Sequence, residues 1–147
     1  MKIETLEDCF KFRLLRKIRP DIEKSKRSLE IARERLKTAN TAYDIALKFK
    51  FFNFVIIEAY MAMFHAARAL LYKDGIQEKS HFAMYLYLKE RYSRKIPFHI
   101  INLLNIHRIE RHETMYGLEY QPTKEDAEIA LKDANIFVKE VEKVLKR

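Results

Sequence analysis

Arg111, His112 and Tyr116 stand close together in the segment Ile100–Gly117, IINLLNIHRIERHETMYG. These are residue types that metal-free RNA cleavage uses: a histidine takes the 2′-hydroxyl proton, an arginine stabilises the phosphorane, and a tyrosine orients or donates. At about 100° per residue, Ile100, Leu103, Leu104 and His107 share one helical face, and Arg111 falls within about 20° of Ile100. Arg111 is thus expected to point inward, with Arg108 about 80° off that line. An inward guanidinium is always charged and needs either a carboxylate, here Glu58 or Glu113, or a ligand phosphate. A second set lies upstream. Glu58 and His65 are seven apart and nearly eclipsed on a helix, and Arg68 is within a turn of His65. Burying three ionisable groups on one stripe requires that they pair with one another, face solvent, or line a cleft.

Other chemistries lack their signatures. The chain has no Gly-rich phosphate loop, no CxxC pair, no HExxH and no GxSxG. A di-iron bundle needs repeated Glu-x-x-His pairs from facing helices, and the chain has a single one, Glu78-Lys79-Ser80-His81. No metal and no cofactor is expected. The lone Cys9 offers neither an internal disulfide nor a second thiol, which suits an intracellular protein.

The elements that position these residues read as helices. Two glycines and three prolines among 147 residues are too few turn formers for an all-β fold, and 48% hydrophobic content suffices for one core. The pattern predicts a first helix over Thr5–Ile18, stopped by Pro20, and a second from Pro20-Asp21 to about Thr38. Asn40-Thr41 looks like a break before Tyr43–Phe49. A third helix spans Phe51–Lys73 and ends at Asp74-Gly75. Ser80 caps a helix His81–Arg91, Pro97 opens one that runs to Tyr116-Gly117, and Thr123 with Asp126 caps the last. One domain over 1–147 is expected, with a basic helical extension at 1–19 and a core bundle at 20–147.

The segment Phe51–Leu71 is long enough to cross a bilayer, but Glu58, His65 and Arg68 favour the central helix of a bundle. The N-terminus has early acids and no apolar run, so no secretory signal is expected. The formal charge is +8, with 14 basic against 8 acidic side chains in residues 1–50. Such a surface attracts polyanions or an acidic partner. Phe10 and Phe12, within the basic run, are expected to pack on the second helix rather than to stack on bases.

The stretch Glu58–Tyr92 resembles the HEPN family of small prokaryotic helical domains. Tyr60, Met63, Phe64, His65, Ala66, Ala67, Arg68, Ala69, Leu70 and Leu71 match the centre of its stand-alone branch, and Lys79, Ser80 and His81 match the element after the loop. The resemblance implies an all-α, antiparallel four- to five-helix bundle, here with an extra N-terminal helix, that commonly dimerises. Many members are metal-independent ribonucleases with an Arg-x(4–6)-His motif at the dimer interface. Others bind nucleotides or partner a minimal nucleotidyltransferase (MNT). This chain departs from the motif: Tyr116 stands five residues after Arg111, and His112 follows Arg108 by only four.

The expected function is that of a cytoplasmic, homodimeric HEPN component of a toxin–antitoxin or nucleotidyltransferase-type system that binds nucleotide or RNA. Its binding candidates are His65, Arg68, Arg108 and Arg111. The alternatives are a metal-independent ribonuclease using Arg111 with Tyr116 or His112, and a non-catalytic nucleotide- or RNA-binding module.

Overall fold

The helix starts are fixed by side chains that satisfy the otherwise free N–H groups of the first turn. In the computed structural model, which describes residues 2–146, Thr5 accepts from Asp8 N while the Asp8 carboxylate accepts from Thr5 N, a reciprocal cap for α1 (Leu6–Lys11). Asp21 caps α2 (Ile22–Phe49), and Ser80 caps α4 (His81–Arg91). Thr123 and Asp126 repeat the reciprocal cap on α6 (Lys124–Leu145). Between them lie α3 (Asn53–Asp74) and α5 (Phe98–Tyr116).

Two elements differ from expectation. The first helix does not reach Ile18. Arg13 adopts the left-handed region at φ 57°, and the chain turns into a short strand β1 (Leu15–Lys17). It pairs antiparallel with β2 (Ile76–Glu78), in register Leu15↔Glu78 and Lys17↔Ile76. The ladder continues beyond the strands: Ile18 N donates to Gly75 O and Lys79 N to Leu14 O, both at 2.8 Å. Gly75 ends α3 at φ 77°, and a Cβ there would lie 2.6 Å from Ile18 O. Only glycine allows that approach.

The second difference is that α2 runs unbroken through Asn40-Thr41. Asn40 Nδ2 bonds the Leu36 carbonyl at 2.9 Å and Thr38 Oγ1 the Glu34 carbonyl at 3.1 Å, so both polar side chains fold back along the helix. Ala39, Ala42 and Ala46 carry its buried face onward. Phe10 and Phe12 also depart from expectation: α1 lies on α4, Phe10 is half-buried, and Phe12 is 40% exposed with Lys11 Nζ 5.5 Å from its ring centroid.

The core is built around α3. Its interfaces with α2, α6 and α5 are the most extensive in the fold. Ala59, Ala62, Ala66, Ala67 and Ala69 are buried and let neighbouring backbones approach. Ser25 Oγ and Ser28 Oγ, both 2.7 Å from their acceptors, donate to the Ala69 and His65 carbonyls across the α2–α3 seam. The most apolar window of α3 is long enough to cross a membrane, and 72% of it is buried inside the bundle. Truncating a fully buried side chain here, Leu104→Ala for example, costs about 2–5 kcal/mol. The fold is the all-α bundle expected, six helices and one two-stranded ribbon among the described residues.

Candidate functional site: a basic cluster on an aromatic floor

Residues four apart share a helix face, and Tyr60, Phe64 and Arg68 form such a row on α3. The capped first residue of α4, His81, lies over this row: its ring is stacked on Phe64 at 4.4 Å between centroids, and it stands 5.6 Å from Tyr60. His81 Nδ1 is 2.7 Å from Tyr60 Oη. From α5, the Arg111 guanidinium reaches to 5.9 Å from the Tyr60 ring, and that of Arg108 to 5.1 Å from Phe82. Arg68 lies 5.6 Å from Phe64. Tyr60 and Phe64 are buried and form the floor, whereas His81, Arg68, Arg108 and Arg111 are only partly covered.

The electrostatics are one-sided. His81 is depressed to about 4, first by burial and then by the charges of Arg111, Arg108 and Arg68. Burial also raises the Tyr60 phenol, against the pull of Arg108 and Arg111. At neutral pH the pair is therefore an uncharged imidazole and an intact phenol. With the phenol donating to Nδ1, the imidazole proton sits on Nε2, away from Tyr60.

Neither arginine of α5 is matched by a carboxylate among the described residues. Arg108 Nε donates to Asn105 Oδ1 at 2.9 Å, and Arg111 Nε is buried with no partner. The salt-bridge alternative for Arg111 is not realised. Glu58 is occupied by Arg35, whose Nη1 lies 2.9 and 3.1 Å from its two oxygens. A buried, unpaired N–H on a cation is an expensive feature that a ligand oxygen would satisfy.

The upstream triad likewise separates. Glu58 pairs with Arg35 of α2, and Arg68 Nε lies 2.9 Å from Glu78 Oε1 without its N–H aimed at that oxygen. His65 stands edge-on to Phe64 at 5.2 Å with its Nδ1 buried and unpartnered. Burial, then Arg68 and Arg35, lower it to about 4.

Arg111 and Tyr116 do not meet within one chain. Helix α5 stays regular to Tyr116 and is stopped by Gly117, so the two side chains remain about 140° apart. Tyr116 is 64% exposed and pairs with exposed His112, their ring centroids 5.0 Å apart. Sequence reasoning singled out Arg108, Arg111 and Arg68 but assigned no role to Tyr60 or His81. Both sit in the two motif elements quoted above, and the polar ring type of each, inside an otherwise apolar or loop segment, was the available signal.

A family model for the HEPN domain matches residues 25–144. The Methanocaldococcus jannaschii protein named "Putative toxin MJ0605" is 30% identical over 127 residues, which cover 80% of this chain and 86% of that protein. The match takes in the whole of α3, α4 and α5, and with them every residue of the basic cluster. With so much of its length matched, the chain belongs to the HEPN domain family.

Proposed function

We propose that this HEPN protein is a toxin-like RNA-binding component of a two-protein system, gripping the RNA backbone through Arg108, Arg111 and Arg68 around His81. The observation that carries the reading is the buried, unpartnered Nε of Arg111 beside a second arginine that lacks a carboxylate. Phosphate is the ligand that supplies acceptor oxygens and negative charge together, and guanidinium binds it in forked geometry. The relative named as a toxin supports the biological role, and the excess of basic side chains supports the polyanion. An MNT-type nucleotidyltransferase is the protein partner, and the cytoplasm the compartment. Homodimerisation draws on the outward ridge of α5, where Ile106, Ile109 and Tyr116 are all about half exposed or more.

The test is binding of a short single-stranded RNA across a salt series. Replacing both Arg108 and Arg111 by Gln removes two phosphate contacts. The slope of log affinity against log salt then falls in magnitude by about 1.4. An unchanged slope and affinity in the folded double variant refutes the assignment.

A second reading, metal-independent RNA cleavage, is favoured by one specific observation: His81, held neutral, stands among arginines, and in the tautomer that donates Nδ1–H to Tyr60 Oη its free Nε2 can accept a 2′-hydroxyl proton. Incubation with RNA in EDTA is the assay. Cleavage lost in Arg111→Ala and in His81→Ala, but kept in Tyr116→Phe, identifies His81 as the base. Loss in Tyr116→Phe instead indicates a site completed by the phenol of a second copy.

A further inference from the structure

The tip of the α2–α3 hairpin divides its aromatic residues between two sides. Lys50 ends α2 in the left-handed region at φ 58°. Beyond that turn Phe52 is buried, its ring centroid 6.4 Å from that of Tyr43. Phe49, Phe51 and Phe54 stay outside with Ile45, all more than half exposed. These four side chains wall an open cavity of about 530 Å³, and the small, buried Ala42 and Ala46 form its floor. On α2, Thr38, Thr41, Ile45 and Phe49 stand three or four residues apart and share this side. The groove therefore follows three turns of helix, about 16 Å. Four large apolar side chains gathered around one groove exceed the single scattered ones of a monomer surface and mark an interaction site.

The rim sets what fits. Lys37 and Lys48 line the groove and its continuation along α2, and exposed Lys50 stands at the turn. None of the three pairs with a carboxylate among the described residues. Asp44 is the single acid among the described lining residues. A second copy docked here about a two-fold axis would set these lysines against their own counterparts, which opposes association. A lipid surface takes up a convex apolar wedge, whereas this face is concave. Its shape and length suit an amphipathic helix, which lays an i, i+3, i+4, i+7 ridge into an apolar groove.

We propose that the outer face of the α2–α3 tip docks an acidic amphipathic helix of a second protein, its apolar ridge in the groove and its carboxylates against Lys37, Lys48 and Lys50. Apolar burial supplies the affinity, and the lysine rim selects acidic partners over basic ones. The surface shares no residue with the basic cluster. The inference goes beyond the RNA-binding reading above and does not depend on it.

Fluorescence anisotropy with two labelled helical peptides of about 18 residues, five turns each, tests the surface. Both carry leucine at i, i+3, i+4, i+7 spacing; one has glutamate and glutamine elsewhere, the other lysine and glutamine. The acidic peptide binds, and the basic one binds about tenfold more weakly or worse. Phe49 is 75% exposed, so Phe49→Ser keeps the fold, and it weakens the acidic peptide about tenfold. Lys37→Gln combined with Lys48→Gln weakens it about fivefold. Lys17→Gln, on β1 at the opposite end of α3, changes it by less than about twofold. The proposal is overturned if the acidic peptide does not bind, if the basic peptide binds as well, or if Phe49→Ser binds like the wild type. It is equally overturned if Phe49→Ser dissolves a dimer seen by sedimentation, releases the protein from phosphatidylglycerol vesicles, or weakens RNA binding. Those outcomes make the occupant a second copy, a membrane or a nucleic acid.

Discussion

His107 lies on α5 and His81 at the start of α4 beside it, yet their surroundings are opposite. His107 is buried between two carboxylates, with Nδ1 2.9 Å from Glu110 Oε1 and Nε2 2.8 Å from Asp133 Oδ2. Burial disfavours its charged form, but those two hydrogen bonds prevail and raise its pKa. Tyr120 Oη donates to the other Glu110 oxygen at 3.0 Å, so the network is closed on every side. His81 instead has one neutral partner and three arginines around it, and is held uncharged. One histidine is matched by carboxylates of its own protein; the other sits among positive charges and stays neutral. The difference separates a group that holds α5 to α6 from one that, in the function proposed above, is left for a ligand, although both are polar residues in apolar surroundings.

The sharpest way to break this comparison is His107→Ala. It leaves Glu110 and Asp133 facing each other without the bridging proton donors, and the expected loss is about 3 kcal/mol in urea unfolding. RNA binding by the protein that remains folded is expected to be unchanged. A stability loss below about 0.5 kcal/mol would put His107 in the same class as His81.

Arg111→Gln is the complementary change and next in size. It removes a buried charge whose Nε has no partner, so stability is unchanged or rises by about 1 kcal/mol. Affinity for RNA falls about tenfold or more, as expected for a charge-assisted contact. A variant that instead unfolds, with affinity retained in the folded fraction, would make Arg111 a structural residue.

Much of the fold was legible because its signals are local. Ser80, Thr123-Asp126 and Gly75 mark boundaries through bonds made within four residues, and the helix edges follow them. What was not legible depends on residues far apart in sequence. Leu15–Lys17 reads as helix until Ile76–Glu78 supplies its partner strand, and Asn40 reads as a break until its amide turns back onto Leu36. The site divides in the same way. The inward direction of Arg111 follows from helical periodicity alone. The allocation of Glu58 to Arg35, and of Glu78 to Arg68, is set by packing between elements. His81 acquires its meaning only beside Tyr60, twenty-one residues upstream in sequence.

The pH dependence of stability sharpens the comparison with a smaller effect. His81 and His65, both depressed to about 4, bind fewer protons folded than unfolded between about pH 6.5 and 4. Their contribution is complete above pH 6.5 and is lost as pH falls through that window. Glu78, raised by burial, opposes them on the acid side. His107 runs the other way: its contribution is present below pH 6.5 and disappears as pH rises through its folded pKa. Urea midpoints measured from pH 4 to 9 should therefore fall on both sides of a maximum. His81→Phe flattens the acid limb only, and both sites are part-exposed enough that solvent screening keeps the change modest. An acid limb identical to wild type would mean that His81 is not held neutral.

Tyr60→Phe is the smallest and most local change. The ring stays in the floor beneath His81 while the hydrogen bond to Nδ1 is removed, so the packing cost is slight and the net loss is about 1 kcal/mol. In the tautomer whose Nδ1 lone pair accepts from the phenol, that bond stabilises the neutral imidazole, and without it the His81 pKa rises from about 4 toward the ordinary value. The arginines still oppose the proton, so the rise is partial. Proton NMR titration of the His81 ring resonances reads this directly, with His107 as the internal reference that should not move. If His81 titrates at the same pH in wild type and variant, burial and the arginines alone set its state. Tyr60 would then serve the site only as the ring beneath Arg111.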